Sequence, residues 1–238
     1  MTEVEIVNQP EKAHELARVL AAVWGGEDPI PAEVITVIIH SGGYASLASQ
    51  IINGKKQFVG GSLAIVGNYQ RKLHSHVTGV IDAAINTGVG RALKDHQWLW
   101  AKENNFSAIS WTFDPLVRRN AHFNLIVLGA KVVKYCQNYY GEIKDTINAG
   151  DQTDRLVVER QVEELTSAPS GSTCVANDDD LIIPTPLDIV AVRNTDRDTA
   201  TRLRLEQRAS LESAFANSFS VRGLTHDGSF IMTKHRVI

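Results

Sequence analysis

Two histidines on one short segment are the first residues whose type and spacing suggest chemistry. His74 and His76 lie inside Leu73–Ile81, a strand-like run, and alternation along a strand puts His74, His76, Thr78 and Val80 on one face. An imidazole titrates near neutral pH, so His76, with His74 beside it, is suited to take the proton of an attacking amine. Each histidine can equally be a strand residue satisfied by a hydrogen bond. His-x-His offers two metal ligands, and no Cys, His or Asp/Glu trio nearby completes a pocket, so no metal is expected.

The second feature is Asn86-Thr87-Gly88-Val89-Gly90-Arg91-Ala92, a glycine turn between that strand and a helix over Gly88–Asn104. Glycines there let backbone N–H groups approach an anion at the positive end of a helix, and a pyrophosphate suits such a turn. A P-loop would need Lys and then Ser or Thr after the second glycine, and Leu93 stands where a dinucleotide-binding turn has its third. Asp114 precedes Pro115 and reads first as the cap of a helix over Leu116–Leu128, at a strand end that also suits a substrate contact. Asn120 and Asn124 share one face of that helix, toward solvent or toward ligand amides. Glu159, in an apolar strand, is either half of an edge salt bridge or a contact for an amine. Tyr139 and Tyr140 are core-edge aromatics or proton donors, and Asp178-Asp179-Asp180 are solvated loop acids.

These residues need elements to hold them. Glu3–Asn8 alternates as a strand, and Pro10 opens a helix with Ala13, Leu16, Leu20 and Val23 on one face, closed by Gly25-Gly26. Pro31 opens a second helix with Val34, Ile35 and Ile38 inward. Tyr44–Ile52 and Phe58–Val66 form a hairpin about Asn53-Gly54. The helix after the glycine turn carries Val89, Leu93, His96 and Trp100 at helical spacing, and Ala108–Phe113 is the next strand. Lys131–Cys136 and Arg155–Gln161 pair as a long hairpin whose loop holds Tyr139-Tyr140-Gly141. Thr166–Asp180 turns to Ser, Pro, Gly and acids, and beyond it come a helix over Arg197–Asn217 and a hairpin, Ser218–Val237, about Asp227-Gly228. The expected domains are residues 1–166, a linker at 167–180, and a small α/β extension at 181–238.

Bulk composition limits the partners. The 238 residues carry 24 basic and 27 acidic side chains, a net charge of −3, with no block of like charge, which argues against nucleic acid. Two cysteines are too few for a disulfide framework, the N-terminus has no signal pattern and no apolar run could span a bilayer, so a cytoplasmic protein without a membrane partner is expected.

The order strand, two helices, hairpin, strand, glycine turn, helix, strand, helix, two strands resembles the GNAT superfamily of acyl-CoA-dependent N-acyltransferases over about Glu3–Gln161. The landmarks are Val80 at the end of the fourth strand, Gly88-x-Gly90 in the family's Q/R-x-x-G-x-G/A turn, then Asn120-Ala121 and Leu128-Gly129 in the later helix. His74-Ser75-His76, Trp111-Thr112-Phe113-Asp114-Pro115, Arg119-Asn120-Ala121-His122-Phe123-Asn124 and Asn138-x-Tyr140-Gly141 look like a poorly characterised bacterial branch with a C-terminal extension. The resemblance implies an α/β fold with a splayed mixed sheet flanked by helices. It implies pantetheine between the strands ending at Val80 and near Phe113, pyrophosphate on Asn86–Ala92, and Asn120 near the cofactor. It further implies direct transfer from an acyl-CoA, acetyl-CoA or succinyl-CoA, to the amine of a small molecule such as an amino acid, in a protein compatible with a homodimer. Asp114, Asn124 and Glu159 are then the candidates for the acceptor. Two positions depart from the family: Ile85 replaces the turn's Gln or Arg, and Leu125 replaces the tyrosine that usually reprotonates the thiolate, leaving Tyr139, Tyr140 or water for that task. The alternative is a catalytically degenerate CoA-binding or regulatory protein.

Overall fold

Asn53 and Gly54, at φ 52° and 73°, make the tight turn expected of them, and β2 (Tyr44–Ile52) and β3 (Lys55–Val66) pair across it along their length. The computed structural model describes residues 2–24, 30–67, 71–141 and 151–234. β1 (Glu3–Ile6) pairs with β2, β4 (Lys72–Val80) with β3, and β5 (Ala108–Phe113) with β4, giving the order β1-β2-β3-β4-β5. Only β4 and β5 are parallel, so the sheet is mixed.

The chain divides into two compact units, Met1–Trp111 with Gln161–Ala168, and Thr112–Arg160 with Pro169–Ile238. The domain boundary expected at 166/167 is therefore displaced. A polar composition marks irregular backbone, but it does not say which segments share a core. Leu116 and Val117 share one buried cluster with Ile189 and Ala200, which binds the stretch after β5 to the chain's C-terminal third. The expected linker is also tied down in the second unit: the Gly171 N–H donates to Ile126 O at 2.8 Å and the Cys174 N–H to Leu224 O at 3.0 Å.

In the first unit, α1 (Pro10–Trp24) and α2 (Ala32–His40) cover one sheet face, burying Leu16, Leu20, Ile35, Leu47 and Leu63 completely. Val34 is 46% exposed instead of inward, because the buried stripe of α2 runs through Ala32, Ile35 and Ile38. Gly25-Gly26 lies outside the described residues. α3 (Val89–Glu103) covers the other face, packing Val89 and Leu93 on Ala48 and Val59. Its approach depends on Gly60, where an added Cβ would stand 2.7 Å from Gly79 O, 3.1 Å from Val89 Cγ1 and 3.2 Å from Leu93 Cδ1. Gly60→Ala is expected to cost about 1–3 kcal/mol by overpacking. All four tryptophans, Trp24, Trp98, Trp100 and Trp111, belong to this unit, so a lowered urea midpoint followed by tryptophan fluorescence is the check, and an unchanged midpoint would contradict the close approach.

In the second unit, β6 (Lys131–Cys136) and β7 (Arg155–Gln161) form the expected antiparallel pair. The helix expected at Leu116–Leu128 is shorter and different in kind: α4 (Arg118–Ala121) continues as a π-helical segment, His122–Val127. β8 (Leu181–Ile183) and α5 (Ile189–Thr195) were not anticipated, the strand being too short to show a period. The α5 N-cap, Asp188, accepts from the Ala191 N–H, and Asp196 likewise caps α6 (Arg197–Ala216) by accepting from Thr199 N–H, so two aspartates cut one polar stretch into two helices. β9 (Phe219–Leu224) and β10 (Phe230–Lys234) form the predicted hairpin and join β8 in the order β8-β10-β9. The expected hairpin's last residues, 235–237, lie outside the described residues.

Candidate active site

The two strands named by the resemblance separate where that resemblance requires. β4 and β5 pair only through Lys72, Leu73 and His74 opposite Ala108, Ile109 and Ser110, after which β4 continues to Val80 without a strand on that edge among the described residues. The glycine turn closes the same strand's exit. Ile81 leads into a single 3₁₀ turn, Asp82–Ala84, and Thr87 Oγ1 donates to Ala84 O at 2.7 Å. Asn86 at φ 64° and Gly88 at φ 86° take left-handed conformations, and Gly88 is the N-cap of α3. No side chain caps that end, and the first N–H groups of a helix have no intrahelical acceptor. A Cβ added at Gly88 would meet nothing within 4 Å, so the space over the turn is open to an anion. Val80 packs half-buried beside Val89 and Leu93, joining the strand end to the helix start.

The histidines are not arranged as simple alternation implies. Leu63 pairs with Val77 and Ala64 with Ser75, so His76 is the extra residue of a β-bulge. Past the bulge the strand changes face. Thr78 Oγ1 lies 2.8 Å from Ser62 Oγ, which accepts from Gln97 Nε2 at 3.1 Å, and Val80 also faces α3. His74 is on the opposite face, its Nδ1 3.4 Å from Ser110 Oγ. The expected single face of His74, His76, Thr78 and Val80 is therefore corrected: one inserted residue shifts every later side chain across the sheet. His74 is held neutral by burial first, then by the charges of His76 and Lys94, so its pKa lies below the ordinary histidine value. His76 keeps an exposed edge, and the covered part of its ring lowers its pKa as well.

Under this strand runs a polar strip that the sequence did not bring to notice. Lys94, 5% exposed, donates to Ser75 Oγ at 2.7 Å, reaches Gln97 Oε1 at 3.4 Å, and lies 4.1 Å from the Trp111 ring centroid. Lys94 and Gln97 occupy the buried stripe of α3 with Leu93, Trp98 and Ala101, while His96 and Trp100 sit beside it against Tyr44. Polar residues in register with an apolar stripe were the available signal.

In the second unit, Tyr140 lies 3.0 Å from Thr112 through their hydroxyls, and its loop is pinned by Thr153, which accepts from the Tyr140 N–H at 3.0 Å and donates to Gly141 O at 2.9 Å. Asp114 accepts from the Leu116 N–H at 2.9 Å, a capping-type bond, yet it is 6% exposed. Arg204 grips it with two bonds of 2.8 and 2.7 Å, and Arg193 adds one of 2.6 Å. Both guanidiniums also bond Asp151, so the expected contact of Asp114 with an acceptor gives way to a buried ion cluster. Asn124 is buried and its amide donates to Asn120 O at 2.8 Å, a use internal to the π-helical segment. Asn120 is half-buried. Glu159 stands opposite Lys131 in the β6–β7 register, as the edge salt-bridge reading requires. Arg193 and Arg204 lie too far from Asp114 in sequence for any spacing rule to find them. Among the described residues no His, Cys, Asp or Glu trio gathers to hold a metal, and no helix is long and apolar enough to cross a membrane.

This architecture is the GNAT fold: solved GNAT acetyltransferases share it. A phosphinothricin acetyltransferase from Sinorhizobium meliloti, solved with AcCoA, aligns with a TM-score of 0.55 at 14% identity over 72% of this chain and 94% of its own. The ribosomal-protein-S18-alanine N-acetyltransferase from Escherichia coli gives 0.53 at 14% identity over 69% and 99%. Arabidopsis thaliana Naa50, in complex with a bisubstrate analogue, gives 0.52 at 16% over 67% and 98%. No family model and no curated protein matches the sequence. At such identities the likeness establishes the fold, and part of this chain has no counterpart in those structures.

Proposed function

We propose that the chain is an acyl-CoA-dependent N-acyltransferase acting on a small-molecule amine. The observation that carries this is the combination, within one unit, of β4 parting from β5 after His74 and an open left-handed glycine turn at the head of α3. Backbone N–H groups from Asn86 to Ala92 would hold the pyrophosphate, and the parted edge of β4 would receive the pantetheine amides. Ile85 does not prevent this, because the donors are main-chain groups. The thioester of the acyl-CoA supplies the activated acyl group. The neutral imidazole of His76, directly or through water, accepts the proton as the amine nitrogen bonds to the acyl carbon and the C–S bond breaks. Tyr140 or water returns a proton to the thiolate. Leu125 at the family's tyrosine position motivates a second reading, a CoA-binding protein without turnover. Mass spectrometry of the purified protein for retained CoA, followed by free-thiol release with acetyl-CoA or succinyl-CoA and a panel of amines, separates the two. Binding with thiol release supports the enzyme, binding without it supports the second reading, and no binding rejects both.

A further inference from the structure

We propose that Arg155 is a specificity-determining residue that selects acceptors bearing a carboxylate. The proposal rests on the acyl-transfer reading and names its substrate class. Arg155 opens β7 and is 8% exposed, and its Cζ lies 5.5 Å from the centroid of the Tyr140 ring, so a planar fork is laid on an aromatic face. Tyr140 is 40% exposed and its hydroxyl meets Thr112, the second-last residue of β5. That is the carboxyl end of a parallel strand, the end outside which open α/β sheets bind their ligands.

The surroundings favour an anion. Arg193 and Arg204 raise the positive potential at Arg155, while Asp114 offsets it. Those two guanidiniums are 3% and 2% exposed, and Arg193 Nη1 and Arg204 Nε have no hydrogen-bond acceptor among the described residues. A rigid guanidinium in such a field suits a planar anion, and the fork matches a carboxylate in two-point geometry, which an amide cannot reproduce. The loop is built to keep this arrangement: Tyr139 N–H donates to Thr153 O at 2.9 Å, Asn138 takes φ 40° and Gly141 φ 68°, and the two tyrosine rings meet edge to face at 4.7 Å.

The test is calorimetric titration of the full chain, in saturating CoA, with amino acids and with their primary amides, alongside thiol release from acetyl-CoA with the same compounds. The native protein should bind carboxylates about 10–100-fold more tightly than the matching amides. Arg155→Met should abolish that ratio by weakening the carboxylates alone, and Arg155→Lys should restore part of it. Equal binding of acids and amides by the native protein overturns the proposal, and so does an equal loss for both in Arg155→Met. The native ratio needs no variant, so the proposal stays testable if Arg155→Met does not fold. Failure of the acyl-transfer reading shows differently, as absent thiol release while the binding ratio persists.

Discussion

Asp114→Ala is expected to destabilise the second unit by about 3–5 kcal/mol, because it strips the shared carboxylate from two buried guanidiniums. Arg204 and Arg193 are 2% and 3% exposed and have no route to water that would replace Asp114. Truncating the anion leaves both cations leaning on Asp151 alone. The unit holds no tryptophan, so the loss is read from far-UV circular dichroism in urea and from amide exchange along α6. Protection of α6 equal to that of the parent would contradict the role. Acid should act on the same group. Burial alone would raise the Asp114 pKa, but hydrogen bonds and charge from Arg204, then Arg193, outweigh it and bring it down to about 2 from 3.8. A depressed folded-state pKa contributes stability that is present above the unfolded value and is lost as pH falls from about 4 through 2, worth about 2 kcal/mol. Asp114→Asn should remove this segment of the stability profile.

His76→Gln is expected to lower kcat/KM by about 10²–10⁴-fold if its imidazole takes the amine proton. The pH profile gives the sharper reading. Both His74 and His76 titrate below the ordinary value of 6.5, so each is neutral at pH 7 and ready to accept a proton. Activity should be flat near neutrality and fall as pH drops through a pKa below 6.5, the protonated imidazole being unable to act as base. His76→Gln should remove that acid limb, whereas His74→Gln should keep it. A limb that survives in His76→Gln and vanishes in His74→Gln would transfer the role to His74. Lys94→Met tests the electrostatics: removing the cation should raise the His74 pKa toward its ordinary value.

Much of this protein was legible in its residues because the determining interactions are local. Asn53-Gly54 specified the hairpin turn through positive φ, Tyr44–Ile52 and Ala108–Phe113 read as strands from composition and period, and Gly88 marked the head of α3 because few other residues adopt its conformation. The order of those elements was enough to indicate the GNAT fold. Legibility failed where one residue or a distant partner decides. The bulge at His76 adds a residue to β4 without any signature in composition, and it reverses the face of Thr78 relative to His74. The π-helical widening at His122–Val127 likewise arises in a stretch that reads as an ordinary helix. Asp114 shows the limit most plainly. Its sequence context, a strand end before Pro115, announced a cap, and it does bond the Leu116 N–H. That Arg193 and Arg204 would converge on it is a tertiary fact, since electrostatic partners are set by distance in space and sequence separation carries no information about it. The residues by themselves thus determined the elements, their order and the anion-ready turn, while packing alone decided which face each histidine takes and which charges Asp114 and Arg155 meet.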